Sequence, residues 1–240
     1  ADMTDLAKPL RVDLEAKARI MDLEVAARAA SPDGDTVKYL FQLGDGQRVE
    51  SVLMREGRRR TLCVSSQVGC PLDCGFCATA RMGLVRNLST AEILDQLLVV
   101  RRGLRARDDD LTNVVLMGRG EPMLNYDNVL RAVRLMNLDY GPAIGIRRIT
   151  LSTVGHVPGI LRLADEGLKM GLAISLNATT NEQRSHIMPI NNRWPIESLL
   201  DAVRSYRRKI ERRVTFEYVM LHGFNDTAED SQRFIGLVRN

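Results

Sequence analysis

The chain has 240 residues, 45% hydrophobic and 27% charged, with a net charge of +4. This is the composition of a globular protein with one sizeable core, and no apolar run approaches the ~18 residues that a membrane-spanning helix needs. The basic excess permits a nucleic-acid partner without demanding one.

The longest apolar stretches, such as Leu97-Leu98-Val99-Val100, are short, and no charged start leads into an apolar stretch and a small-residue cleavage site. The expectation is therefore a protein with no membrane association and no secretion signal. The basic residues are mostly arginine, 29 against 5 lysines. Arginine suits bidentate phosphate contacts, and a GC-rich genome explains the same bias.

Taken in chain order, the first ~30 residues read as helical, with Leu6, Leu10, Leu14, Ala18 and Met21 near helical spacing. Ser31-Pro32-Asp33-Gly34-Asp35 breaks that pattern. Residues 36–43 and 49–54 read as two strands around Gly44-Asp45-Gly46, a hairpin signal. From residue 61 onward strands and helices alternate. The strand candidates are 61–65, 113–117, 148–152, 171–176 and 214–221. Ser89-Thr90-Ala91-Glu92 is a capping box ahead of Ile93, Leu94, Leu97 and Leu98. Residues 125–136, 158–164, 196–206 and 227–238 supply four more helical patterns.

Repeated β-then-α order predicts parallel strands with right-handed crossovers, in an open doubly wound sheet or a barrel. Either way, ligands sit beyond the C-terminal ends of the strands. Each polar or glycine-rich cluster follows a predicted strand: the cysteine loop, Gly118-Arg119-Gly120-Glu121-Pro122, Ser152-Thr153, Ser175-Leu176-Asn177 and His222-Gly223-Phe224-Asn225-Asp226. That placement predicts one large active site along a single rim.

All four cysteines lie between positions 63 and 77. A disulfide framework would spread them to staple distant segments; clustering points to metal or redox chemistry in a reducing, cytoplasmic setting. Cys70-Pro71-Leu72-Asp73-Cys74-Gly75-Phe76-Cys77 is a C-x3-C-x2-C run. A four-iron cluster usually takes four cysteines. Three leave one iron open, as a reactive metal site requires. Phe76 is placed to shield such a cluster from water. The competing reading is an all-cysteine zinc site from Cys63, Cys70, Cys74 and Cys77, although structural zinc favours paired knuckles separated by a longer loop.

A C-x3-C-x2-C run after the first strand of a βα repeat resembles the radical S-adenosylmethionine superfamily. Leu62-Cys63-Val64-Ser65-Ser66-Gln67-Val68-Gly69-Cys70 closely resembles its RNA adenine methyltransferases, which act on carbon 2 of adenine. So do Arg86-Asn87-Leu88, Gly120-Glu121-Pro122, Leu151-Ser152-Thr153, Pro189-Ile190-Asn191, Glu217-Tyr218-Val219-Met220-Leu221 and Asn225-Asp226. The match runs from about Met3 to the end.

The resemblance implies an α/β fold: a partial (β/α) barrel of the radical-SAM type over residues 59–240, with a small helix-plus-hairpin appendage over 1–58. It implies a 4Fe-4S cluster on Cys70, Cys74 and Cys77, and S-adenosyl-L-methionine held by the open iron. Gly120 and Glu121 match the segment that holds the cofactor's ammonium, and a carboxylate beside a glycine turn suits that task. Ser152, Ser175, Leu176 and Asn177 match further cofactor contacts; by themselves they read as ordinary strand-end residues. The implied reaction methylates a cysteine near the C-terminus, takes hydrogen from that methyl group with a deoxyadenosyl radical, and adds the carbon radical to adenine. Cys63 matches the cysteine that then resolves the protein–RNA crosslink by forming a disulfide; alone it reads as a small buried hydrophobe. Glu50 matches a carboxylate assigned as proton acceptor. The implied substrates are 23S rRNA and the tRNA adenosine beside the anticodon. The implied company is an electron donor such as flavodoxin or ferredoxin, with the enzyme itself a monomer.

Three departures stand out. No cysteine lies beyond Cys77, so the methyl-carrying cysteine is missing. The chain therefore reads as a fragment lacking both family termini, unable to complete turnover. Arg119 stands where the family usually has Met, and Asn177 where it usually has His. Basic clusters occur at Arg58-Arg59-Arg60, at Arg101, Arg102, Arg105 and Arg107, and at Arg204, Arg207, Arg208, Lys209, Arg212 and Arg213. They suit phosphate contacts or simply form solvated faces; Asp108-Asp109-Asp110 partly cancels the second. The alternatives that remain are carbon-8 methylation of rRNA adenine, another radical-SAM reaction, and a zinc-stabilised RNA-binding module.

Overall fold

The computed structural model describes residues 5–18 and 23–239. Helix α1 (Lys8–Lys17) precedes three antiparallel strands, β1 (Glu24–Ala30), β2 (Thr36–Gln42) and β3 (Arg48–Glu56), and then β4 (Arg59–Cys63). Strands β5 (Gln67–Gly69) and β6 (Leu84–Asn87) form a separate small sheet that brackets the cysteine loop. Helices and strands then alternate: α2 (Thr90–Arg105), β7 (Asn113–Leu116), α3 (Tyr126–Asn137), β8 (Ile149–Thr153), α4 (Val157–Asp165), β9 (Gly171–Ser175), α5 (Asn181–Ile187), α6 (Ile196–Ile210), β10 (Val214–Glu217) and α7 (Ala228–Arg239).

One eight-stranded sheet runs β1-β2-β3-β4-β7-β8-β9-β10. From β4 to β10 its strands are parallel. This is the α/β architecture expected of the repeat. The hairpin strands continue the same sheet, because β3 pairs with β4 in the register Val52↔Cys63. That register sets Glu50 level with the C-terminal end of β4, at the rim.

Buried residues at helical spacing explain the outer layer. Ile93, Leu97 and Val100 of α2, Val129 and Val133 of α3, Ile160 and Leu163 of α4, and Leu199, Val203 and Tyr206 of α6 share one core with Leu62, Val114, Leu151 and Leu172 of the strands. Burying each large apolar side chain contributes about 1.5–3 kcal/mol. The capping box forms as read: Glu92 N donates to Ser89 Oγ at 3.2 Å, and Ser89 N donates to Glu92 Oε2 at 2.8 Å. Arg86 then forks onto Glu92 and reaches Asp45 at 2.7 Å, tying the β2–β3 turn to the cysteine-loop sheet.

Two expectations need correction. The N-terminal helix ends at Lys17 and buries no residue, and Glu24–Ala30 is a strand. All seven residues of β1 are exposed, so no period-2 pattern existed to read, and pairing with the open edge of β2 overrides the helical preference of an alanine-rich segment. Met21 lies outside the described residues. The last predicted strand stops at Glu217, where the chain turns to bring Val219 N onto Asn177 Oδ1 at 2.9 Å.

Candidate active site

The C-terminal ends of β7, β8, β9 and β10 and the cysteine loop surround a cavity of about 270 Å³. Cys70, Cys74, Cys77, Gly120, Glu121, Ser152 and Ser175 all line it. Residues far apart in sequence thus converge on one rim.

The cysteine loop is built by backbone constraints. Gly69 has φ +80°, and a Cβ there would lie 1.8 Å from the Gly83 carbonyl oxygen, so only glycine lets β5 and β6 close behind the loop. Cys70 N donates to Gly83 O at 3.0 Å, and Cys77 N donates to Cys74 O at 3.0 Å. Gly75 N donates to Ile187 O at 2.9 Å, docking the loop on α5. Cys74 is buried with Ile187, Met188 and Ala178; Cys70 and Cys77 are half-buried. Phe76 lines the cavity but keeps 37% of its surface exposed, so it stands at the mouth.

All four cysteines are free thiols. The expected disulfide is therefore absent: its partner cysteine is not among these residues. Burial pushes the Cys74 thiol up to about 12, and the neighbouring Cys70 and Cys77 push the same way. Burial likewise raises Cys70. Three close thiols cannot ionise together without compensating positive charge, and a bound iron cluster is what supplies it. Among the described residues no three His, Cys, Asp or Glu side chains converge tightly enough to hold a single metal ion. A zinc ion would need its sulfurs only ~3.8 Å apart; a cluster spreads its ligands around its corners. The donor set thus fits the cluster.

The zinc reading fails for a second reason. Cys63 ends β4 between Val52 and Val115 and is not among the residues lining the cavity. Burial raises its thiol to about 11; its other influences are the Met117 backbone and Glu217, not a cysteine.

Glu121 is buried beside Gly120, whose φ of +100° and 2.5 Å approach to Gln67 exclude a side chain. Its carboxylate accepts from Met123 N at 3.0 Å and Val154 N at 2.9 Å. Burial lifts it to about 7, against those two N–H groups and Thr153. Ser152 Oγ and Ser175 Oγ both donate to Glu217 Oε2, at 2.7 and 2.8 Å. Glu217 lines the cavity and ties the ends of β8, β9 and β10 together. Sequence reasoning placed it only within a matching motif, in the middle of the predicted strand 214–221, so nothing in the pattern marked it as a strand-end residue.

Leu176 and Asn177 do not line the cavity. Leu176 is wholly buried in the core, and Asn177, at φ +57°, holds the chain turn after β9. Glu50 also lies outside the cavity. Its carboxylate pairs with Arg119 at 3.0 Å and Lys38 at 3.2 Å, while its carbonyl accepts from Ser65 Oγ at 2.6 Å. Arg119 therefore points at a carboxylate rather than outward. Several basic clusters are internally paired: Arg60 with Asp109, Arg101 and Arg105 with Asp110, Arg204 with Asp201, and Lys209 with Asp165. No helix among the described residues is long and apolar enough to cross a membrane.

Comparison with known proteins gives the family. The Radical SAM superfamily profile matches residues 64–235. The chain is 48% identical over 238 residues to a probable dual-specificity RNA methyltransferase RlmN of Dictyoglomus turgidum, covering 99% of this chain and 68% of that protein. It is 51% identical over 238 residues to the dual-specificity RNA methyltransferase RlmN of Geobacter sulfurreducens, covering 99% of this chain and 64% of the relative. The crystal structure of a radical SAM methyltransferase from Sphaerobacter thermophilus superposes with a TM-score of 0.94 at 44% identity, over 99% of this chain and 70% of that one.

Proposed function

Since the chain belongs to the radical SAM superfamily, we propose that it is the radical-SAM portion of an RNA methyltransferase acting on carbon 2 of adenosine, in 23S rRNA and in tRNA beside the anticodon. The observation that carries this reading is the convergence of three free thiols, Glu121, Ser152 and Ser175 on one cavity at the C-terminal rim of the parallel strands. Its likeness to the RlmN relatives supplies the substrate class.

In this reading Cys70, Cys74 and Cys77 hold a 4Fe-4S cluster. A cluster held there would supply one-electron chemistry to S-adenosyl-L-methionine bound beside it. Glu121 accepts hydrogen bonds from the cofactor's amino group, and Gly120 lets the backbone approach it closely. Ser152 and Ser175 spend their single hydrogens on Glu217, so toward a ligand they can only accept, which suits hydroxyl or amino donors. Leu176 and Asn177 act from behind the cavity, Leu176 as core packing and Asn177 by holding the turn that follows β9. Glu50, held between two cations, accepts a proton at the rim, and Cys63 resolves the covalent RNA adduct. The RNA meets the arginine-rich surface, and an adenine in folded RNA must be exposed first. A flavodoxin or ferredoxin supplies the electron. The enzyme works as a cytoplasmic monomer. As these 240 residues hold no cysteine beyond Cys77, they do not complete a methylation cycle.

Anaerobic iron–sulfur reconstitution followed by electron paramagnetic resonance tests the reading. The expected result is a four-iron signal that shifts with S-adenosylmethionine and survives Cys63→Ala. A colourless, zinc-loaded protein that loses its metal in Cys63→Ala overturns it, and methylation turnover by these residues overturns the last point.

A further inference from the structure

Arg184 is fully buried. It sits on α5, three residues before Ile187, whose carbonyl anchors Gly75 of the cysteine loop. Its guanidinium straps the rim: Nε donates to Leu176 O at 3.0 Å, Nη1 to Asn191 Oδ1 at 3.1 Å, and Nη2 to Ser175 O at 3.1 Å and to Val154 O. Every one of these acceptors is uncharged. The ionisable group whose charge reaches Arg184 is the Cys74 thiol, which packs against Ile187 and Met188 of the same segment.

A buried cation is costly, and most are matched by a fixed carboxylate. Neutral carbonyls offset only part of the desolvation. A guanidinium with no fixed anion among the described residues, on the helix that anchors the cysteine loop, has its missing partner in whatever negative charge that loop acquires. Arginine serves here because it stays charged when buried, where lysine readily gives up its proton.

We propose that Arg184 is the built-in counter-charge of the cysteine site, a positioning residue that makes the bound iron–sulfur cluster easier to reduce. This rests on the cluster reading given above. Reduction brings one electron from an external donor, breaks no bond, moves no proton, and adds one negative charge to the cluster. A fixed positive charge close by favours that product. The strap and the charge are separable roles: the first needs the planar fork, the second only a cation.

The test uses the full chain as wild type, Arg184→Gln and Arg184→Lys, each reconstituted anaerobically. Iron content, the midpoint potential from a dithionite titration followed by electron paramagnetic resonance, and the thermal midpoint of the metal-free protein are measured. Arg184→Gln is expected to lower the one-electron reduction equilibrium constant tenfold or more, which is about 59 mV. Arg184→Lys is expected to return the potential to within threefold of wild type in that constant, while losing thermal stability with the fork. An unchanged potential in Arg184→Gln, with only stability lost, makes Arg184 a strap and overturns the proposal. If Arg184→Gln fails to load iron, rescue of loading by Arg184→Lys supports the counter-charge; equal failure of Arg184→Lys overturns it. Wild-type protein that takes up no iron removes the cluster reading itself, and this inference with it.

Discussion

Gln96 is the buried link between α2 and the rim, and its replacement tests how the site is held. The side chain is wholly out of solvent. Its Oε1 accepts from Ser51 Oγ at 2.7 Å and from Ser65 N at 2.8 Å. Its Nε2 donates to Ser65 O at 3.0 Å and to Glu92 O at 3.1 Å. Ser65 in turn donates to the Glu50 carbonyl and accepts from Arg119 N at 3.0 Å. Gln96→Leu keeps the volume but orphans the Ser51 hydroxyl and both backbone groups of Ser65; the Glu92 carbonyl keeps its partner within the helix. Each orphaned group costs about 1–3 kcal/mol, and leucine recovers about 1–2 kcal/mol through its apolar surface. Taking the lower half of the range for groups that relax toward water, the net loss is about 3–4 kcal/mol. With a urea slope of about 3 kcal/mol per molar for a chain of this size, the midpoint falls by about 1 M. Urea unfolding of the metal-free protein, followed by circular dichroism, measures it. Adding Ser51→Ala to Gln96→Leu removes one orphan and so should recover part of the loss, about 1 kcal/mol. A midpoint within about 0.3 M of wild type would refute this account of the network.

Other outcomes follow from single contacts. Gly120→Ala forces a β-carbon into the left-handed region and against Gln67; it is expected to cost about 1–3 kcal/mol and to weaken S-adenosylmethionine binding tenfold or more by calorimetry, and unchanged binding refutes the close approach. Asp110 is half-buried, which disfavours its charge, but Arg101, the Leu111 N–H and Arg105 outweigh that and hold its carboxyl at about 2. Its folded value is depressed, so its stabilisation is fully present above the ordinary value of 3.8 and fades as pH falls toward 2. With 39% of the side chain in solvent, Asp110→Asn should cost no more than about 1 kcal/mol at pH 7. The cost should vanish near pH 2; an equal loss at both pH values would mean the charge is not what matters.

The convergence of Cys70, Cys74, Cys77, Glu121, Ser152 and Ser175 on one rim was legible because the proposed chemistry demands residue types at fixed spacing. Cys70, Cys74 and Cys77 can hold a cluster only from one loop, and a strand-end Glu121 or Ser152 announces itself beside glycine or threonine. Strands β7, β8 and β9 lie within a residue or two of the predicted spans, since each is bounded by a polar cluster. Strand β1 was illegible because it buries nothing, and its helical composition is overruled by a ladder to β2. Glu217 and Arg184 were missed because their meaning lies in distant partners: Glu217 meets Ser152 across 65 residues, and Arg184 meets Val154 across 30. Asn177 matched by position, yet its side chain serves the turn into Val219 instead of the cavity.

Arg119 shows how a departure in sequence acquires a meaning from a neighbour on another strand. It leaves β7 at the rim, where the β3–β4 register has already set Glu50, and the two meet at 3.0 Å while Lys38 takes the other carboxylate oxygen. Burial works against the Glu50 charge, but Lys38 and Arg119 outweigh it and hold the carboxyl below its ordinary value. A carboxylate held this way is reliably ionised, and it is a weaker proton acceptor than one with a single cation. Arg119→Met should therefore raise the Glu50 pKa, and Lys38→Met should do the same from the other oxygen. Carbon-13 NMR of the labelled glutamate carboxyl through an acid titration reads that shift directly, without any need for turnover. The sign for stability follows: the folded value is lowered, so the pair's stabilisation is fully present above the ordinary glutamate value and is lost as pH falls through the lowered folded value. Arg119→Met should cost less than about 1 kcal/mol at pH 7, and progressively less as pH falls below the ordinary glutamate value. A Glu50 titration unmoved by both substitutions would show that solvent already screens the pair and that Arg119 does not tune the Glu50 charge.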